Sequence, residues 1–252
     1  MVKKKYVIAS FFGLLLVTVV IAFHFSFVKP SSESIFANSQ TSVVELKAKS
    51  NNDIISYGTA VYIGEGGTFV SNAHMVTYKQ SGVHKEFENF YIRFSFEKDY
   101  REISMIKYDL KLDISILKLD NFENNPGNRI QIDDTSKVYS GSKVYAIGNG
   151  MNHGISISQG LISLPRINIE YDGIIHEMIQ CDLTINEGNG GGALLNHKEK
   201  LIGITTFRLK DYTGNIIYGI AYCIPINTVM TYHRRCSGRR HNLLHIPWSQ
   251  NL

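Results

Sequence analysis

Phe90-Tyr91-Ile92-Arg93-Phe94-Ser95-Phe96 alternates large apolar side chains with polar or amphipathic ones. A period of two belongs to a β-strand, so Phe90, Ile92, Phe94 and Phe96 are expected on one buried face, with Tyr91, Arg93 and Ser95 opposite. Further β-type runs flank it, separated by Gly, Asn and Asp. Before it come Ser42–Ala48, Tyr57–Ile63 and Thr68–Ser71. After it come Ile103–Tyr108, Ile114–Leu119, Lys143–Ile147, Ile155–Ser163, His176–Cys181, Leu201–Thr206 and Ile216–Ile224. Many short strands with turn residues between them predict an all-β sandwich or barrel rather than a βαβ fold. Within this body only Ile226–Arg235, preceded by Pro225, reads as a helix.

The 252 residues are 44% hydrophobic and 19% charged, with 21 Gly and 5 Pro, which excludes disordered and collagen-like chains. Three cysteines, Cys181, Cys223 and Cys236, are too few for a disulfide scaffold. The net charge is +4, yet Lys3, Lys4, Lys5, Arg234, Arg235, Arg239 and Arg240 alone supply seven positive charges, leaving the remainder at −3. A slightly acidic body offers no phosphate-binding face, so nucleic acid is not an expected partner.

Tyr6 to Val28 is a nearly unbroken apolar run behind the Lys3–Lys5 cluster. About 20 apolar residues span a bilayer, while secretory signals carry shorter apolar cores, so 1–28 predicts a transmembrane anchor with its basic end in the cytoplasm. The rest of the chain is then extracytoplasmic and membrane-anchored. The alternative is a long signal peptide cut near Ala37-Asn38-Ser39, which leaves the body secreted. Residues 29–41 are mostly polar and Ser-rich, as a linker would be.

Three segments carry chemistry. Thr68 to Val76 is a strand that ends in small residues and delivers His74; Asp113 stands at the mouth of an apolar strand; Glu187 to Leu194 is a glycine-rich turn. Taken singly, each has a structural explanation: a hydrogen-bonded histidine, a turn-forming aspartate, and glycines that supply unusual backbone angles.

Their order and surroundings point further. Ser71-Asn72-Ala73-His74 resembles the T-N-A-H segment of trypsin-like serine proteases of the bacterial Deg/HtrA group. Asp113-Ile114-Ser115-Ile116-Leu117-Lys118 resembles that group's D-[IL]-A-[VI]-L-K, and Val144 to Asn149 its V-x-A-I-G-N. Gln159 to Ser163, Gln180 to Asn189, Leu201 to Ile204 and Tyr222 to Pro225 are similar to four more of its segments. All seven occur in the family's order between Ser42 and Val229. The resemblance implies a chymotrypsin-like fold of two packed six-stranded antiparallel β-barrels. They would span about 42–120 and 135–230 within a domain at 42–230, followed by a basic tail at 231–252. It also implies a serine endopeptidase site between the barrels, with His74 as general base, Asp113 as its orienter and the N–H groups of Gly188 and Gly190 as oxyanion donors.

One atom of that site is missing. Where the family has G-N-S-G-G-P-L, this chain reads Gly188-Asn189-Gly190-Gly191-Gly192-Ala193-Leu194, so Gly190 stands at the nucleophile position. No Ser or Cys occurs from Asp182 to Asn196. Loss of such a serine costs on the order of 10⁶ in turnover, whereas about 10³–10⁴ over water survives through binding and the oxyanion donors. The chain is therefore expected to be a catalytically impaired homologue whose cleft binds extended or unfolded polypeptide. The alternatives are a variant of an active endopeptidase, or a non-catalytic surface scaffold.

The resemblance also places the first specificity pocket along Thr184, Thr205, Thr206, Phe207 and Ala221; none is acidic, which favours small or aliphatic side chains over Lys and Arg. The 23 residues after Val229 are too few for the PDZ module that usually follows the protease domain in this group. No cofactor is expected. His241 and His245 are four apart with no third ligand near, so no metal is expected either.

Overall fold

The computed structural model describes residues 30–64, 66–120, 122, 129–171, 173–206 and 217–237. The expected transmembrane helix, Phe207 and the tail from Gly238 onward lie outside them. Among the described residues no helix is long and apolar enough to cross a membrane.

The fold is mostly β. After helix α1 (Ser32–Ser39), the first half contains β1 (Val43–Lys49), β2 (Ile55–Gly64), β3 (Thr68–Ser71), the one-turn helix α2 (Ala73–Val76), and a peripheral hairpin of β4 (Thr77–Gln80) and β5 (Val83–Glu86). It continues with β6 (Asn89–Phe94), β7 (Arg101–Glu102), β8 (Ser104–Asp109) and β9 (Ile114–Lys118). The second half contains β10 (Lys143–Gly148), β11 (Ser156–Tyr171), β12 (Ile174–Cys181), β13 (Ala193–Asn196), β14 (Leu201–Thr205), β15 (Ala221–Pro225) and helix α3 (Ile226–Cys236).

The second half is the expected six-stranded closed barrel, in the order β10-β11-β12-β15-β14-β13, with β13 returning to β10. The first half differs in detail: it is a seven-stranded antiparallel sheet, β7-β6-β1-β2-β3-β9-β8. Its two edges, β7 and β8, are separated only by Ile103, whose N–H donates to Phe90 O at 3.0 Å. One bent segment thus pairs with β6 on one side and β9 on the other, which brings the sheet round on itself. Phe90, Ile92 and Phe94 are buried as their alternation requires, but β6 ends at Phe94. A turn bond from Glu97 N–H to Phe94 O redirects the chain, leaving Phe96 51% exposed and stacked on Phe94. β11 runs further than its sequence suggests, past Pro165; the proline sits where the register with β12 shifts, so no regular ladder bond is lost there.

Among the described residues, three apolar clusters hold this together. One fills the first barrel around Phe69, Ile92, Phe94 and Leu117, and another fills the second around Val144, Ile162, Ile179 and Leu194. The third lies between the barrels and joins Val43, Val61, Val70 and Ile116 to Tyr145, Ile147, Leu195 and Ile224. Val43 and Val44, or Ile116 and Leu117, serve different clusters from opposite faces of one strand, so β1 and β9 are buried on both sides. The two barrels are therefore fixed against each other by core packing.

Residues 32–39, expected within a linker, fold as α1. Ser31 caps the helix by accepting the Ser34 N–H at 3.1 Å, and Glu33 lies in the first turn, favourable to the helix dipole. Ile35 is fully buried in the cluster between the barrels. A single apolar anchor in a Ser-rich stretch is enough to dock one short helix, which composition alone does not reveal. Ile35→Ala should lower stability by roughly 2–4 kcal/mol, read by urea denaturation of the full chain; a change below about 0.5 kcal/mol, as for an exposed site, would show that the segment does not belong to the core.

Candidate active site

Strand pairing builds the site. β3 and β9 pair antiparallel with Ser71 opposite Ser115, so the chain leaving β3 and the chain entering β9 emerge at the same end of the sheet. The leaving segment carries Asn72 and then His74 in α2; the entering segment carries Asp113. The turn before β9 is shaped by Asp109, whose Oδ1 accepts the N–H groups of Lys111 and Leu112 at 2.8 and 3.0 Å. Asp113 then adopts φ +54°, a left-handed conformation that Asp tolerates better than most residues. Two further bonds fasten the segments: Asn72 Nδ2 donates to Asp113 O at 3.0 Å, and Ser115 Oγ to Asn72 O at 3.0 Å.

His74 Nδ1 lies 2.8 Å from both carboxylate oxygens of Asp113, and the His74 backbone N–H donates to Oδ1 at 3.0 Å. Thr206, just past β14 in the second barrel, donates its hydroxyl to Asp113 Oδ2 at 2.6 Å. Asp113 exposes 15% of its side chain and His74 42%, so the imidazole buries its Nδ1 edge and turns another edge to the cleft. Burial works against the charged form of both groups. For His74, the charge and hydrogen bond of Asp113 outweigh burial and raise its pKa above the ordinary 6.5. For Asp113, the His74 charge, the His74 and Thr206 side-chain bonds and the His74 N–H outweigh burial and lower its pKa below the ordinary 3.8. The His74 contribution to stability is thus complete below the unfolded imidazole pKa and lost as pH rises through the raised one. The Asp113 contribution is complete above the unfolded carboxyl pKa and lost as pH falls through the lowered one.

The glycine-rich turn comes from the second barrel, and Thr59 of β2 in the first barrel holds it. The Thr59 N–H donates to Gly190 O at 2.9 Å, and its hydroxyl donates to Gly188 O at 2.7 Å and accepts the Asn149 N–H at 2.9 Å. Its carbonyl accepts the Ser71 hydroxyl at 2.6 Å. Within the turn, the Gly192 N–H donates to Asn189 O and the Gly191 N–H to Thr205 O, each at 2.9 Å. Among the described residues, no acceptor takes the N–H of Gly188 or Gly190.

Three of the four glycines are dictated by geometry. Gly188 has φ +89° and a Cβ there would collide with Asn149 O; Gly191 has φ +81° and would strike Thr59 O and Ser71 Oγ; a Cβ on Gly192 would come within 2.5 Å of Ile147 O. Gly190 is different. It has no positive φ, and a Cβ on it would stand 3.2 Å from His74 Nε2, 3.3 Å from Asn72 Oδ1 and 3.5 Å from Met75 Cε. A side chain at 190 therefore needs shifts of only a few tenths of an ångström, and it would project at the histidine.

His74, Asp113 and Gly190 thus meet at one place, with Gly188 beside them. The residues expected to line a specificity pocket separate. Thr184 is exposed, whereas Thr205, Thr206 and Ala221 are buried. Thr205 gives its hydroxyl to Asn189 O at 2.5 Å and Thr206 gives its own to Asp113, so both threonines support the site from behind. An open cavity of about 420 Å³ lies on the other side, next to Gly188, lined by Ile55, Tyr57, Met75, Tyr78, Phe87 and Glu187 among others. Thr59, Asn72 and the role of Thr206 were not read from the sequence; each is a small polar residue with a partner at the site 41 or more positions away.

A family model described as a trypsin-like peptidase domain matches residues 58–204. The serine endoprotease DegS of Haemophilus influenzae is 36% identical over 129 residues, covering 50% of this chain and 36% of the relative. The periplasmic pH-dependent serine endoprotease DegQ of Escherichia coli is 35% identical over 131 residues, covering 52% and 28%. A probable periplasmic DegP-like serine endoprotease of Rickettsia prowazekii is 31% identical over 177 residues, covering 69% and 32%. The chain thus spans about a third of the length of these relatives. Among solved structures, the HtrA-type protease AlgW with a tripeptide superposes with a TM-score of 0.69 at 23% identity, over 83% of this chain and 64% of that one.

Replacing Asp113 by Asn removes the charge that raises the His74 pKa but leaves the burial that opposes protonation. The His74 pKa in Asp113→Asn should fall below that of the unaltered chain when its ring protons are followed by NMR titration; an unchanged value would mean that the carboxylate does not govern the imidazole.

Proposed function

We propose, from the premise that this chain belongs to the trypsin-like peptidase family with Deg/HtrA serine endoproteases among its relatives, that it is a membrane-anchored, extracytoplasmic member which binds extended polypeptide and has lost the acyl-enzyme route. The observation that carries this reading is the direction of Gly190: its missing Cβ points at His74 Nε2 from 3.2 Å, opposite an intact His74–Asp113 pair. In the family mechanism a hydroxyl attacks the substrate carbonyl while the imidazole takes its proton and the carboxylate fixes the tautomer. Here Nδ1 is held by Asp113, Nε2 faces the position where that hydroxyl would stand, and Gly190 supplies none.

The relatives named periplasmic support an extracytoplasmic placement. The apolar run Tyr6–Val28 behind Lys3–Lys5 supports an anchor. Cleavage at Ala37-Asn38-Ser39 would sever α1 and detach Ile35 from the core between the barrels, which favours retention of the anchor over release. The cavity beside Gly188, walled by Ile55, Tyr57, Tyr78 and Phe87, suits an apolar side chain of an extended peptide.

Gly190→Ser should gain casein hydrolysis by at least about 10³-fold over the unaltered chain, and His74→Ala in that background should abolish the gain. Continued inactivity of a folded Gly190→Ser chain would mean that more than the hydroxyl is missing, and the reading would fail.

A further inference from the structure

The cavity beside Gly188 reaches the nucleophile position through one side chain. Met75 follows His74 in α2 and packs on Gly58 of β2, where a Cβ would strike Met75 Sδ. Its Cε stands 3.5 Å from the place of a Cβ on Gly190, and the half-buried side chain also forms part of the cavity wall. The cavity, about 420 Å³, therefore begins one methionine away from residue 190. Another part of its wall is Met151, held by its N–H donating to Glu187 O at 2.7 Å. Met151 and Asn152 adopt φ +58° and +56° in succession. Two left-handed residues side by side, neither of them glycine, are unusual, and such strain gathers where a ligand is held. Ile54, Ile55 and Met151, all at this cavity, are 38%, 43% and 56% exposed. Apolar residues scattered singly over a surface mean little, but three around one concavity mark a ligand groove.

Chemistry decides which part of a polypeptide enters. In acyl transfer the imidazole gives its proton to the leaving group, so the chain that follows the reactive carbonyl passes on the His74 side. The cavity lies there: Met75 adjoins His74, and Gly188, with its untaken N–H, belongs to the wall. Thr205 and Thr206, expected to line a pocket elsewhere, are buried with their hydroxyls committed to Asn189 and Asp113. Resting on the reading of this chain as a peptide-binding member of its family, we propose that it selects polypeptide on the leaving-group side, through this cavity. The selected residue is bulky and apolar, Phe, Tyr, Leu or Met, at the first or second place after the carbonyl that faces Gly190. Burial against these walls rewards such a side chain in proportion to its apolar area. Of the described residues lining the cavity, Glu187 alone carries a formal charge, and it is exposed beside Gly188. A basic neighbour of the apolar residue is therefore favoured over an acidic one.

The probes are a fluorescein-labelled peptide rich in Ala and Ser with a single Phe, and its counterpart with Gly at that place. Titrated against the unaltered full chain by fluorescence anisotropy, the Phe peptide should bind roughly 10- to 100-fold more tightly. Ile55→Asp sets a charge at the cavity from an exposed position and should erase that advantage in a chain still folded by thermal melting. Lys in place of Glu beside the Phe should tighten binding roughly two- to fivefold, and Glu187→Gln should remove the difference. With benzoylphenylalanine in place of Phe, irradiation should join the peptide to Met75, Met151 or residues 54–57. Equal binding of the Phe and Gly peptides, or adducts confined to other parts of the chain, would overturn the proposal; no binding of either peptide would overturn the peptide cleft with it. Cleavage assigns the side. Casein cut by the Gly190→Ser chain should yield new amino termini enriched in Phe, Tyr, Leu and Met at the first or second place, and enrichment only before the cut would overturn the proposal. A folded Gly190→Ser chain that cuts nothing fails the reading of the missing hydroxyl alone, and the anisotropy and cross-linking results still decide the cavity.

Discussion

Thr59 is the residue on which the rest of the site depends. Each of its polar groups is used: N–H to Gly190, hydroxyl between Gly188 and Asn149, and carbonyl to the Ser71 hydroxyl. These bonds tie the strand that leads to His74 in one barrel to the glycine turn in the other. Thr206 makes the reciprocal link, reaching from the second barrel to the Asp113 carboxylate. The site is assembled by two buried threonines that cross the interface in opposite directions. Buried hydrogen bonds of this kind hold geometry because breaking them strands polar groups away from water.

Apolar packing makes those bonds possible. The cluster from Val43 and Ile116 through Ile147 and Leu195 to Ile224 and Val229 joins the barrels, and Ile35 of α1 belongs to it. A site made of groups from both halves needs such an interface, since freely moving barrels would not keep His74, Asp113 and Gly190 in register. The consequence is a pre-organised imidazole and carboxylate facing the backbone of Gly190. At Gly188, Gly191 and Gly192 the fold demands glycine; at 190 it does not. The absence of a side chain there is a property of the sequence, with no counterpart in the steric demands of the turn.

Much of this was legible beforehand because its signals are local. Strands such as Thr68–Ser71 follow from apolar runs closed by turn residues, and His74 and Asp113 stand out because each adjoins one of two strands that prove to be neighbours. The joining of β7 and β8 around Ile103 was not legible, since it depends on which strands a bent segment happens to flank. Helix α1 was hidden for a different reason: its composition is that of a spacer, and its placement rests on one isoleucine finding a core built from residues far along the chain. Thr205 and Thr206 were expected to face a ligand, but their hydroxyls satisfy Asn189 and Asp113. A threonine at a strand end carries no mark of which side it will serve.

The proposed reading turns on one side-chain oxygen, missing at residue 190 opposite the His74–Asp113 pair. The most direct measurement is labelling of the Gly190→Ser chain with a fluorophosphonate, followed by mass spectrometry of the peptide containing residue 190. Formation of the adduct needs a hydroxyl at that position and an imidazole beside it to take the proton. The account predicts one phosphonyl group on Ser at 190, none on the unaltered chain, and none once His74 is also changed to Ala. A folded Gly190→Ser chain that stays unlabelled, or that carries the adduct at another residue, would contradict it.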